Sequence, residues 1–205
     1  MRPGGYQRRR GGGSGSLRVT GGTLRGRRLR VTDVGGLRPT PERTRETLFN
    51  WLRERVEGAR VLDLFAGSGV LAVEALSRGA ADALLVERDP RAAAALRAAC
   101  AELGLEGPGA ERARVLRRDA LAWLARPTDP GPFDLVFLDP PFAAGLAAPA
   151  LAALAGSTLL AEDARVYCER AAGDDPPWDA SAWVVLRETR SGDSRAALLA
   201  PASTR

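Results

Sequence analysis

The stretch that most constrains this chain runs from Ala59 to Ala72: Ala-Arg-Val-Leu-Asp-Leu-Phe-Ala-Gly-Ser-Gly-Val-Leu-Ala. A short apolar run ends in a carboxylate at Asp63, a turn follows with glycines at 67 and 69, and an apolar helical segment continues to Ser77. A strand feeding through a tight glycine turn into a helix is the opening of a βαβ unit, whose next strand lies parallel to the first. The alternation repeats along the chain. Asp82–Glu87, Ala113–Asp119 and Phe133–Leu138 read as strands, and Pro90–Leu103, a short helix from Leu121, and Leu146–Ala155 as the helices between and after them. The expected fold is α/β, with a mostly parallel sheet.

Gly67-x-Gly69-x-x-Ala72 has the spacing of a nucleotide-binding turn, in which glycine lets the backbone approach a ligand at a helix N-terminus. Asp63, four residues before Gly67, argues about which ligand. A carboxylate there repels a pyrophosphate but suits an ammonium group, which favours S-adenosylmethionine over NAD. Acids then recur at the ends of successive strands: Glu87, 18 residues after Gly69, then Asp119, then Asp139. Each of Glu87 and Asp119 could equally be a helix cap. Their recurrence is the stronger sign, because ligands of open α/β sheets bind beyond the carboxyl ends of the strands.

The last of these acids opens Asp139-Pro140-Pro141-Phe142. Two prolines end the strand and leave carbonyls free to accept hydrogen bonds. With the acceptor oxygens of Asp139 and the flat face of Phe142, the loop can hold a planar ring that bears an exocyclic amine. An Asp-Pro-Pro turn that merely closes a buried strand is the competing reading.

Charge is segregated along the chain. Residues 1–60 hold 15 Arg against 5 acids, while residues 61–205 hold 15 Arg against 20 acids; there is no Lys. A basic arm on a mildly acidic body suits a polyanion partner. Residues 1–16 are rich in Gly and Arg and read as a disordered tail. Leu17–Thr20 and Arg27–Val31 read as two short strands joined by a turn containing Gly21 and Gly22. Leu29 and Val31 alternate there with Arg28 and Arg30. A helix is expected from Pro41 to Val56, capped by Thr40, with Leu48, Phe49, Trp51, Leu52 and Val56 facing the core. Arg38, Arg43 and Arg45 gather at its start, against the helix dipole, which makes sense beside an anion. A solvated face is the alternative.

The chain contains no His, and only Cys100 and Cys168, without Cys-x-x-Cys spacing. That removes the Ser-His-Asp triad and argues against zinc sites and disulfide frameworks. No apolar run approaches the ~20 residues needed to span a bilayer, and the basic start lacks the apolar segment of a secretory signal, so a cytoplasmic location is expected. The C-terminal third reads as a strand at Ala164–Glu169, a Pro-rich loop, and an edge hairpin of Trp183–Arg187 and Arg195–Leu199 turning at Ser191-Gly192-Asp193.

Together, four stretches resemble the bacterial 16S ribosomal RNA guanine-N2 methyltransferases of the RsmD type, which modify guanine 966 of the small-subunit RNA. They are Arg18-Val-Thr-Gly-Gly-Thr-Leu-Arg-Gly-Arg27, Leu37-Arg-Pro-Thr-x-x-Arg43-x-Arg-Glu-Thr-Leu-Phe-Asn-Trp-Leu52, Asp63-Leu-Phe-Ala-Gly-Ser-Gly69 and Leu138-Asp-Pro-Pro-Phe142. The last two occur in many methyltransferases; the first two point to this family. The resemblance implies a Rossmann-like methyltransferase sheet of seven strands with an antiparallel edge strand, preceded by an N-terminal β-hairpin that helps hold RNA. It implies S-adenosylmethionine as methyl donor and 16S ribosomal RNA, or the assembling small subunit, as partner, with neither metal nor membrane involved.

By position, Asp63 and the Ala66-Gly67-Ser68-Gly69 loop would hold the methionine end of the donor, Glu87 the ribose and Asp119 the adenine amine. Asp139, Pro140 and Phe142 would form the catalytic acceptor site, and Arg18, Arg25, Arg27, Arg28, Arg38 and Arg43 would meet RNA. Residues 1–16 would then be the tail, 17–57 the RNA-binding extension and 58–205 the methyltransferase domain. An adenine-N6 DNA methyltransferase uses a similar acceptor loop, and a non-catalytic nucleic-acid-binding module could keep the fold; both remain open at this point.

Overall fold

A computed structural model describes residues 15–31, 40–107, 109 and 111–202. Arg38 and residues 1–14 of the expected tail lie outside the described residues. Seven strands form one sheet: β3 (Arg60–Asp63), β4 (Asp82–Glu87), β5 (Ala113–Arg117), β6 (Phe133–Leu138), β7 (Leu160–Ala171), β8 (Trp183–Ser191) and β9 (Ser194–Pro201). Their order is β5-β4-β3-β6-β7-β9-β8. The first five run parallel, and β9 pairs antiparallel with both β7 and β8. The chain therefore winds outward from β3 in one direction and resumes at β6 in the other. The crevice between β3 and β6 is the topological switch point, where such sheets bind ligands.

Side chains alternate across the sheet, as the two-residue strand period requires. Val61, Leu85, Leu135, Phe137 and Tyr167 face one way, into a core with α1 (Glu42–Trp51), α2 (Val70–Ser77) and α3 (Pro90–Glu102). Leu62, Leu84, Val86, Val136, Leu138 and Val166 face the other, onto α4 (Ala120–Ala125) and α5 (Ala147–Leu154). Phe49, Phe137 and Tyr167 meet edge to face, at 6.2 and 6.4 Å between ring centroids, so α1 is fixed against the middle of the sheet. The C-terminal strands run past their expected limits, because β7 pairs with β6 from Leu160 and the β7–β9–β8 pairing continues beyond the buried residues.

A separate two-stranded ribbon pairs β1 (Gly15–Arg18) with β2 (Arg28–Val31), Leu17 opposite Leu29. The first strand thus begins two residues before the expected boundary at Leu17. Leu29 is buried, whereas Arg28 and Arg30 are exposed. The connection between the strands is not a free turn. The Thr23 N–H donates to the Ser77 carbonyl at 2.7 Å, the Leu24 N–H to Ser77 Oγ at 2.9 Å, and that hydroxyl to the Gly21 carbonyl at 2.6 Å. Gly22 sits at φ +75°, and a Cβ there would lie 1.8 Å from the Ser77 carbonyl oxygen. The glycine pair serves close docking onto the end of α2 as well as a turn.

The helix α1 differs from expectation at both ends. It stops at Trp51, short of Val56, although Leu52 and Val56 are still buried by the coil that follows. At its start Pro41 occupies the N-cap position and no side chain caps the helix. Thr40, expected as the cap, has another partner.

Candidate active site

Four of the carboxylates expected in the site stand side by side because their strands do. In sheet order they read Asp119 after β5, Glu87 ending β4, Asp63 ending β3 and Asp139 after β6. They are spread along the edge of the sheet, and among the described residues no group of carboxylates or thiols is gathered to hold a metal ion.

Asp63 is 3% exposed. Burial first, and the neighbouring Glu87 second, push it up to about 7, against the pull of the Phe65 and Ala72 backbone N–H groups. Asp139 is pushed up to about 8 by burial and by the charges of Glu169 and Asp63, while a hydrogen bond from Thr40 pulls it down. Two acids flanking the switch point are thus held back from ionising by lack of water first, and then by the charges of neighbouring acids, chiefly Glu87 for Asp63 and Glu169 for Asp139.

The opposite end of the sheet shows the contrast. There burial also acts to raise Asp129. A hydrogen bond from Arg114, the Gly131 N–H, and the charges of Arg114 and Arg60 together bring it below the ordinary carboxylate range. Arg60 lies 3.3 Å from Asp129 and 3.2 Å from Asp82. Acids at the amino ends of the strands have arginine partners built in. A ligand carrying its own positive charge would supply the same to Asp63 and Asp139.

The glycine turn is arranged differently from a phosphate cradle. The Gly67 N–H donates to Glu87 Oε2 at 2.9 Å, and the Gly69 N–H to the Ala66 carbonyl at 2.6 Å. The Ala66 N–H is taken by the Val86 carbonyl at 3.0 Å, and Ser68 Oγ accepts the Val70 N–H at 3.4 Å. Those donors are engaged within the protein rather than aimed at an anion. What the glycines supply is space. Gly69, at φ +71°, would with a Cβ meet Leu96 Cδ1 at 2.3 Å. A buried acid beside a tight turn with few spare donors fits the ammonium end of S-adenosylmethionine better than a pyrophosphate.

Glu87 has a double task in this geometry. One oxygen fixes the glycine turn, and the other accepts the Asp89 N–H at 2.7 Å. Each oxygen keeps a lone pair, so hydroxyl groups can still donate to it. Asp119 is exposed and caps α4, accepting the Ala122 N–H at 3.0 Å. The cap reading thus holds for Asp119 without removing its second oxygen from ligand binding. The cap of α3 is Asp89, which accepts the N–H groups of Arg91 and Ala92.

In the loop after β6 Pro140 is buried, and Phe142 stands 41% exposed at the start of a single 3₁₀ turn, Phe142–Ala144. A large aromatic ring left out of the core here is available to stack on a planar ligand. Thr40 Oγ1 donates to Asp139 Oδ2 at 2.9 Å, bridging 99 residues of sequence.

The arginines assigned to RNA divide into groups. Arg25 and Arg43 are exposed. Arg18 pairs with Glu42 at 2.5 Å, Arg27 donates to the Glu102 carbonyl at 3.2 Å and Arg28 to Ser16 Oγ at 3.0 Å; all three remain exposed. Arg45, read from the sequence as standing beside an anion and not among the RNA contacts, is 1% exposed rather than on a solvated face, and its anion is the protein's own Glu74 at 3.3 Å.

Sequence reasoning also passed over Thr40 as a site residue, and Tyr167 and Glu169 on β7. Tyr167 donates to Glu169 Oε2 at 2.9 Å, and both are buried next to the acceptor strand. The strand pattern could have flagged Glu169, a fifth acid one residue beyond Cys168, which is level with Leu138. Nothing local could have flagged Thr40, since its partner is distant in sequence.

The chain matches the family described as Conserved hypothetical protein 95 over residues 17–200. It is 42% identical over 180 residues to ribosomal RNA small subunit methyltransferase D of Escherichia coli strain K12, covering 88% of this chain and 87% of that protein. The protein of the same name from Haemophilus influenzae is 39% identical over 178 residues, covering 87% and 90%. Among solved structures, yhhF of Escherichia coli, described as a methyltransferase, superposes with a TM-score of 0.80 at 36% identity, covering 93% of this chain and all of that one.

Proposed function

Because the chain belongs to the Conserved hypothetical protein 95 family, together with the small-subunit ribosomal RNA methyltransferases D, we propose that it methylates the exocyclic N2 amine of a guanine in 16S ribosomal RNA, with S-adenosylmethionine as methyl donor. The observation that carries the reading is the acceptor loop at the switch point, with Asp139 oriented by Thr40 directly beside the row of donor-facing acids.

S-adenosylmethionine supplies an electrophilic methyl group on a sulfonium. Asp63 and the turn at Ala66-Gly67-Ser68-Gly69 hold its methionine end, Glu87 its ribose and Asp119 its adenine amine. The guanine amine is a poor nucleophile, because its lone pair is delocalised into the ring. Asp139 and the Pro140 carbonyl accept its two N–H groups, which aims the nitrogen and stabilises the positive charge that develops on it. With its acidity shifted to about 8, the Asp139 carboxylate is also matched to taking the proton that the amine sheds. Phe142 stacks on the base, which must be unpaired or flipped out to enter. Arg18, Arg25, Arg27, Arg28, Arg38 and Arg43 contact phosphates, so residues 17–57 act as the RNA-binding extension.

The test is transfer of labelled methyl from S-adenosylmethionine to small-subunit particles lacking the modification, followed by mapping of the labelled base. Label on a guanine N2 supports the reading. Label on an adenine, on DNA, or on nothing overturns it.

A further inference from the structure

We propose that Thr40 is the positioning residue for Asp139, and that Arg45, pinned by Glu74, holds Thr40 in place, so that the docked N-terminal hairpin is a structural member of the acceptor site. The inference rests on Asp139 being the amine acceptor.

Arg45 is the junction. Its Nε donates to Glu74 Oε1 on α2 at 3.3 Å, its Nη1 to the Thr40 carbonyl at 2.8 Å, and its Nη2 to the Arg18 carbonyl on β1 at 2.7 Å. One rigid guanidinium fork thus joins three segments that are far apart in sequence. Glu74, wholly buried, is itself tied to the hairpin. It accepts the Thr20 N–H and the Thr20 hydroxyl, each at 2.9 Å, and Arg78 Nε at 3.4 Å. Arg78 Nη2 closes the set on Thr20 Oγ1 at 3.0 Å.

A buried ion pair contributes little net stability, because desolvation offsets most of the attraction. What this one provides is geometry. It fixes the carbonyl of Thr40, and with it the residue whose hydroxyl reaches Asp139 Oδ2 at 2.9 Å. Thr40 is 3% exposed and does not cap the helix it precedes, so that hydroxyl is committed to the acceptor loop. With one carboxylate oxygen held, the plane of the Asp139 carboxylate is set before any substrate arrives.

The experiment uses the full chain with the substitutions Thr40→Val, Thr40→Ser, Arg45→Lys and Asp139→Ala, assayed for methyl transfer to unmodified small-subunit particles. Thr40→Val keeps the shape and removes the donor. The expected result is a fall in kcat of about 10-fold or more, worth a single hydrogen bond in the reacting complex. KM for the particle and affinity for S-adenosylmethionine stay within twofold. The acid limb of the kcat profile moves to higher pH, because the lost hydrogen bond no longer opposes burial, Glu169 and Asp63 around Asp139; Tyr167 and Cys168 also face that carboxylate. Thr40→Ser restores both. In Arg45→Lys, one ammonium replaces a three-way fork, and the same kcat loss and limb shift are expected per folded molecule, with folding followed by thermal melting.

Full kcat and an unmoved limb in Thr40→Val, or failure of Thr40→Ser to restore them, overturn the role of Thr40. Arg45→Lys protein that melts earlier but turns over normally when folded overturns the link to the hairpin. Full turnover by Asp139→Ala is a different failure, that of the acceptor assignment itself.

Discussion

Replacing Asp63 by Asn separates what the site costs the fold from what it gives the ligand. Asp63 is 3% exposed, and folding moves its carboxyl from 3.8 up to about 7. The folded state therefore holds a proton that the unfolded chain has already released. The stability this contributes is fully present below pH ~3.8 and is lost as pH rises through about 7. Each tenfold difference in proton affinity between the two states is worth about 1.36 kcal/mol. The full loss is then about 4 kcal/mol, of which somewhat more than half, roughly 2–3 kcal/mol, falls between pH 5 and pH 8. Asn does not titrate and retains an oxygen for the Phe65 and Ala72 N–H groups. The thermal midpoint of ligand-free Asp63→Asn should accordingly rise relative to wild type as pH increases. At roughly 2–4 °C per kcal/mol for a chain of this size, the gap should widen by about 5–10 °C between pH 5 and pH 8. Paired melting curves at the two pH values make the measurement. S-adenosylmethionine should then stabilise wild type but barely move the variant. A gap that stays constant with pH would refute the desolvated carboxylate, and unchanged S-adenosylmethionine affinity would refute its pairing with the donor ammonium.

Asp139→Ala should reduce methyl transfer by at least 100-fold while S-adenosylmethionine affinity, read by calorimetry, stays within a few-fold; weakened donor binding would relocate Asp139 to the donor site. Phe142→Ala should raise KM for the RNA substrate several-fold with the melting midpoint nearly unchanged, since the ring is 41% exposed. A large drop in stability with normal KM would make Phe142 a packing residue. Replacing Arg25, Arg27 and Arg28 together by Ala should weaken RNA binding and flatten the slope of log K against log salt by up to about 2–3, from loss of three phosphate contacts. An unchanged slope in a filter-binding titration would remove the hairpin from the RNA interface.

What was legible in the sequence was whatever is written locally. The run Asp82–Glu87 and the run Phe133–Leu138 are strands with the expected limits, because each is a short apolar segment bounded by polar residues. The acids at strand ends could be placed along one edge as soon as the sheet was taken as parallel. Thr40 was not legible in its actual role, because a Thr before Pro41-Glu42 satisfies every local rule for a helix cap. The competing bond, to Asp139, exists only once the chain has folded. Arg45 was legible only in part, for a related reason: on the sequence it is one of three arginines at a helix start that call for an anion, and only the approach of α2 shows that the anion is Glu74. Gly21 and Gly22 carried a correct turn signal whose further cause, the end of α2 pressed against them, lies 54 to 56 residues away in sequence.

The placement of the described arginines bears on why, among the described residues, Asp63 and Asp139 have no arginine partner. The chain has 30 arginines to place, and it sets Arg60 and Arg114 against Asp129 at the amino edge of the sheet. It sets Arg45 and Arg78 against Glu74 beneath the hairpin. Arg18, Arg25, Arg27, Arg28 and Arg43 stay at the surface, where RNA would meet them. An arginine beside Asp63 or Asp139 would have stabilised the empty protein and closed the site to a cation, weakening donor binding. Under the proposed roles, leaving Asp63 and Asp139 without an arginine partner among the described residues reserves the sheet edge for the positively charged donor and the exposed arginines of the arm for the polyanion.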